Sequence, residues 1–90
     1  MSETRYRRSA EALHANVGDD IVALHVRNGR CFGMENVTAD VWRHLDEDLS
    51  LDQICSRLLA EYEVDAGTCR SEVAELLTLM QQEGLVEPLP

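Results

Sequence analysis

The stretch from Ile21 to Asn36, IVALHVRNGRCFGMEN, constrains this chain more than any other. Two apolar runs flank Asn28-Gly29, and Asn-Gly between extended runs is a strong hairpin signal, because both central residues of a type I′ turn need positive φ. Ile21 to Val26 and Arg30 to Met34 therefore read as paired strands. A two-residue loop predicts that Arg27 faces Arg30, Val26 faces Cys31, His25 faces Phe32, Leu24 faces Gly33 and Ala23 faces Met34. If no later segment pairs with the second strand, its outer edge carries unpaired backbone donors and acceptors. Such an edge is either guarded or used.

Upstream, Leu13, Ala15 and Val17 alternate against Ala12, His14 and Asn16, so Ala10 to Val17 predicts a first strand, returned into Ile21 by Gly18-Asp19-Asp20. Residues 1–9 are polar and Arg-rich and read as a flexible arm before a single domain over residues 10–87. Asn36 is placed to cap a helix, and from there the apolar period changes from two to 3.6. Val37, Val41 and Leu45 mark a helix of about ten residues, with Trp42 beside them, ended by Asp46-Glu47-Asp48. Ser50-Leu-Asp-Gln53 is a capping box with Leu49 and Ile54 in the staple positions, and opens a second helix striped by Leu51, Ile54, Cys55, Leu58 and Leu59. Asp65 can cap a third helix to about Glu83, with Cys69, Val73, Leu76, Leu77 and Met80 on one face and Gly84-Leu85 set for a Schellman ending. The fold class this predicts is α+β and winged-helix-like, a three-stranded antiparallel sheet followed by three helices.

Charge narrows the function. The net charge is -9 and there is no Lys; residues 1–32 hold five Arg against four acids, residues 33–90 three Arg against thirteen. A helical half this acidic repels phosphate, so nucleic acid is a poor partner. A winged-helix DNA-binding regulator is the alternative reading of the same pattern, but its reading helix would need cationic or amide side chains, and this one offers Glu72, Glu75 and Glu83 after Arg70. Cys31, Cys55 and Cys69 are odd in number and widely spaced, the usage of reduced thiols in a cytoplasmic protein. No apolar run has signal-peptide or membrane-spanning length, so no membrane partner is expected.

The three His and three Cys lack metal-ligand spacing, and no nucleophile-base motif is present. The reading is therefore no enzyme, no catalytic residue, no metal and no cofactor. What is left is a surface: an open strand edge beside an apolar helix can hold a peptide by main-chain hydrogen bonds, with side-chain pockets to select it. Val26, Phe32 and Met34 from the hairpin and Val73, Leu76, Leu77 and Met80 from the helix are its candidate lining, and Leu79 falls off the main stripe as apolar surplus. The same edge would also serve to pair two copies of the chain.

Gly29-Arg30-Cys31-Phe32-Gly33-Met34-Glu35-Asn36, then Trp42, then Leu51 to Ile54, then Glu72-Val73 with Leu76-Leu77, Met80 and Gly84-Leu85, resembles the PqqD-like proteins, the recognition elements of ribosomally made, modified peptides. The resemblance covers Val17 to Val86. In that family the hairpin usually reads Gly-Arg-Tyr-Phe-Gly-Leu-Asn, and the last helix carries Asp-Val, an aromatic-Leu pair and a closing Gly-Leu. The resemblance implies a stand-alone, non-catalytic domain that captures the leader segment of a precursor peptide as an added strand and presents it to a modifying enzyme or leader peptidase. Such elements serve several pathways, lasso peptides and radical-SAM routes among them, and the length and the Gly-Arg-x-Phe-Gly hairpin lean towards a lasso-type or generic stand-alone element. Carried over by position, Arg30, Cys31, Phe32, Gly33 and Met34 would receive the peptide, Val73, Leu76, Leu77 and Met80 would line the groove, and Glu72 would stand where the family has its acid. Cys31 for an aromatic, Leu76 for Phe and Met34-Glu35 for Leu and a variable residue each trim bulk from the groove.

Overall fold

The computed structural model describes residues 4–89. Its elements run β1 (Arg5–Arg8), β2 (Ala12–Val17), β3 (Asp20–His25), β4 (Cys31–Met34), α1 (Asn36–His44), β5 (Leu49–Ser50), α2 (Leu51–Glu61), α3 (Ala66–Gln82) and β6 (Val86–Leu89). They form an α+β fold of three helices and two three-stranded antiparallel sheets, ordered β2-β3-β4 and β5-β1-β6.

The expected meander is the first of these sheets. Its alternation sends Ile21, Ala23, His25 and Met34 into the core and leaves Val22 on the outer face. The register differs from expectation: Ile21 pairs with Met34, Val22 with Gly33, Ala23 with Phe32 and Leu24 with Cys31. The connection is a four-residue loop over residues 26–29, in which Gly29 N–H donates to His25 C=O (2.9 Å) and His25 N–H donates to Arg30 C=O (3.0 Å). Gly29 takes a positive φ of 72° but Asn28 does not; instead its Oδ1 accepts from Arg30 N–H at 3.0 Å. The shift is by two residues, which keeps every side chain on its own face, so apolar alternation could not choose between the two registers. Arg27 and Arg30 consequently do not oppose each other; Arg27 pairs with Glu11 and Arg30 with Glu83.

The second sheet is a further departure. Arg5–Arg8, expected within a flexible arm, is the central strand, with Tyr6 between Leu49 and Pro88; residues 1–3 lie outside the described residues. Arg8 anchors this sheet to α1: its guanidinium lies 5.0 Å from the centroid of the Trp42 ring and its Nε donates to Trp42 C=O at 3.0 Å. Burial lowers the Arg8 pKa, partly offset by Asp46.

Helix ends mostly follow their local chemistry. The Ser50 hydroxyl accepts from Gln53 N–H (3.2 Å) while Gln53 Oε1 accepts from Ser50 N–H (2.9 Å), and Leu49 and Ile54 are buried beside them. Asp65 Oδ2 accepts from Thr68 N–H at 3.0 Å to open α3. Its Schellman ending is complete, with Leu85 N–H on Met80 C=O (2.9 Å) and Gly84 N–H on Gln81 C=O (3.1 Å). At α1 the expected cap is displaced: Glu35 is the N-cap without a side-chain bond, and Asn36 is the first helical residue at φ 52°. Asn tolerates that left-handed region better than most residues, and the chain uses it to turn from β4 into the helix.

The core lies between the first sheet and the helices, with Trp42, Ile21, Leu45, Ile54, Leu58 and Leu77 almost fully enclosed. Each such side chain stabilises the fold by about 1.5–3 kcal/mol of burial before entropy is counted. No helix among the described residues is long and apolar enough to cross a membrane.

Candidate functional site: an open strand edge beside an apolar groove

Strand β4 is the rim of its sheet, bonded to β3 on one side and to no strand on the other among the described residues. The bond from His25 N–H to Arg30 C=O sets the phase of the ladder. Hydrogen-bonded pairs recur every second residue, so Phe32 and Met34 spend their backbone groups on Ala23 and Ile21, while those of Cys31 and Gly33 point out from the open edge. The two-residue loop joining Val17 to Asp20 in the β2–β3 hairpin gives the same phase independently.

Beside this edge runs a groove whose other wall is α3. A hollow of about 140 Å³ is lined by Phe32, Gly33, Met34, Thr38, Leu76, Leu79, Met80, Glu83 and Leu85. Thr38, Leu76 and Leu79 also belong to a larger pocket of about 320 Å³, which continues past the N-terminus of α1. Its remaining walls are Val37, Leu58, Tyr62, Val64, Thr68, Cys69, Glu72, Val73 and Glu75. The Tyr62 hydroxyl is held by Asp40, a hydrogen bond that raises its pKa.

The charges at the two ends differ. At the hairpin end Arg30 and Glu83 neutralise each other, and the Arg30 guanidinium sits 5.3 Å from the Phe32 ring centroid. At the α1 end Glu72 and Glu75 are exposed with no ion-pair partner among the described residues. Arg70, two residues before Glu72, is taken up by Asp52.

The residues singled out from sequence fall into three groups. Phe32, Gly33, Met34, Leu76 and Met80 line the groove, and Glu72 and Val73 line the adjoining pocket. Cys31 offers its outward backbone, and Arg30 closes the hairpin end. Val26 lies in the hairpin loop, about half exposed and away from both hollows, and Leu77 is buried in the core. Sequence reasoning left Val37, Thr38, Tyr62, Val64, Glu75 and Leu79 out of the site. Leu79 had a signal, being an apolar residue three beyond Leu76 and off the main stripe, and the structure leaves it 58% exposed; Tyr62 and Val64, in the α2–α3 connection, had none.

No three His, Cys, Asp or Glu side chains gather as metal ligands among the described residues. Burial pushes the Cys55 thiol up to about 11, with Cys69 adding to the effect. What the arrangement supplies is a row of main-chain hydrogen-bonding groups beside apolar surface.

No curated protein matches the chain. A solved structure described as TbiB1 in complex with the TbiA(beta) leader peptide is 28% identical with a TM-score of 0.85, covering 90% of this chain and 94% of that one. A second, described as lasso peptide synthetase B1 complexed with the leader peptide, has a TM-score of 0.78 and covers 94% of this chain and 98% of that one; at 24% identity that likeness is one of fold. Residues 20–86, from β3 through the open edge and the groove helix to the start of β6, match the family of coenzyme PQQ synthesis protein D (PqqD), and the chain belongs to that family.

Proposed function

We propose that this chain is a non-catalytic recognition element that captures the leader segment of a ribosomally made precursor peptide, of the lasso type, and presents it to a modifying enzyme or leader peptidase. The observation that carries the reading is the open edge of β4 lying beside the apolar groove of α3. An extended segment added at that edge would bond to Cys31 and Gly33 through its main chain and set alternate side chains into the groove. The likeness to TbiB1, which is described in complex with a leader peptide, supports it. The acidic face of α3, with Glu72 and Glu75 unpaired among the described residues and Arg70 engaged by Asp52, speaks against duplex DNA as the occupant.

The test is amide shift mapping with synthetic leader peptides of lasso-type precursors, the TbiA(beta) leader among them. Changes are expected at Cys31 to Met34 and along Leu76 to Met80. Binding confined to the β5-β1-β6 sheet would end the reading.

A further inference from the structure

The larger pocket points to the chemistry of what it receives. Its walls are apolar side chains from three helices and the α2–α3 connection, yet its mouth carries Glu72 and Glu75, one turn apart on α3. Arginine supplies all the strongly basic side chains of the chain, and each from Arg7 to Arg70 is committed elsewhere. Arg7 goes to Glu87, Arg27 to Glu11, Arg30 to Glu83, Arg43 to Asp40, Arg57 to Glu47 and Arg70 to Asp52, while Arg8 lies over Trp42. On the sheet side of the same end stand Asp20 and Glu35, beside Gly33 and Met34. One end of the groove is thus apolar within and anionic at its lip, and the other end is neutral.

We infer that the occupant is an extended peptide segment with a bulky apolar side chain seated in the 320 Å³ pocket and a Lys or Arg within two positions of it, held at the lip by Glu72 and Glu75. This rests on the peptide-capture reading and adds a sequence requirement and a direction to it. An apolar side chain gains from leaving water in a pocket of this size, and a neighbouring cation can lay its methylene stem along the rim while its charge stays hydrated beside the carboxylates. The basic end of the segment therefore lies toward α1 and the neutral end toward the Arg30 hairpin. Charge at the rim speeds encounter and selects among apolar peptides that the pocket alone would accept.

The experiment pans a displayed library of random 12-residue peptides in parallel on the full chain and on its E72Q/E75Q variant, with circular dichroism to confirm that both are folded. On the full chain, bulky apolar residues flanked by Lys or Arg are expected to be enriched. On the variant the apolar preference persists and the basic one disappears, and a basic peptide from the first selection binds about fivefold more weakly at low ionic strength. Basic residues no commoner than in the unselected library, or equally enriched on both proteins, would overturn the inference and leave peptide capture standing. Absence of any enriched peptide on either protein would overturn both.

Discussion

Arg30 and Glu83 clasp each other with two parallel contacts, Nη1 to Oε1 and Nη2 to Oε2, each 2.9 Å. One residue stands at the base of the hairpin loop and the other caps α3, so the pair joins the two walls of the groove at its neutral end. Exposure of the Arg side chain keeps the electrostatic gain low, but the fork geometry and the Phe32 ring add to it. Arg30→Ala is expected to cost about 0.5–1 kcal/mol in urea unfolding, and Arg30→Lys to recover less than half of that, because an ammonium cannot make both contacts. A loss above about 2 kcal/mol would mean that the pair does more than bridge an exposed gap.

Two glycines of similar backbone geometry separate strain from crowding. Gly18 has φ 63° with open space where a Cβ would go, whereas Gly84 has φ 75° and a Cβ there would lie 2.9 Å from Nε2 of buried His25. Gly18→Ala should cost about 1 kcal/mol for the left-handed backbone alone. Gly84→Ala should cost at least about 2 kcal/mol, since His25 must also move within a packed core. Denaturant midpoints of the two variants decide it; equal losses would show that His25 yields freely.

The phase of the β4 ladder makes proline a probe of which edge does what. Cys31→Pro removes a donor from the open edge and leaves the bonds to β3 intact, so it should weaken peptide binding at least tenfold with little change in melting temperature. Phe32→Pro removes a donor from the β3 ladder and should destabilise the protein itself by about 3 kcal/mol or more. Calorimetric titration and thermal melts, read together, would contradict the assigned phase if the two effects were exchanged.

Leu76, Leu77 and Leu79 occupy one turn of α3 but three environments. Leu77 is enclosed, Leu76 is half-buried in the groove and Leu79 is mostly exposed along it. Asp at Leu77 is expected to unfold the chain, because a carboxylate there has no partner. Asp at Leu79 should leave circular dichroism unchanged and reduce peptide affinity by about 1–2 kcal/mol, the order of one lost apolar contact at a groove. Unchanged affinity for that variant would move the binding site off this wall.

The thiols should divide by burial. Cys31 is exposed, and Cys55 and Cys69 are buried. At pH 8 a disulfide reagent is expected to titrate one thiol rapidly and two only on unfolding. The raised Cys55 pKa gives a sign as well: between the ordinary 9.0 and about 11 the unfolded chain loses that proton while the folded chain keeps it. Its contribution to stability is therefore complete below pH 9.0 and declines as pH rises through that window. Three thiols reacting at one rate in the native state would show that α2 and α3 part readily.

The sequence by itself determined what is settled within a few residues: the hairpin, the Ser50–Gln53 capping box, the Asp65 cap, the Schellman turn at Gly84 and the apolar stripes of the helices. Each is an interaction between near neighbours, so the residue types alone carry it. Tertiary structure decided the rest. The register of β3 on β4 was open by two because both choices bury the same face, and the hydrogen bonds of the 26–29 loop settled it. Arg5–Arg8 has no apolar alternation of its own and becomes a strand only through Leu49–Ser50 and Val86–Leu89, partners distant along the chain. A quarter of the pocket's lining residues, Val37, Tyr62 and Val64, reach it only because three helices converge, and no local signal records which apolar residues will meet across a gap left unfilled.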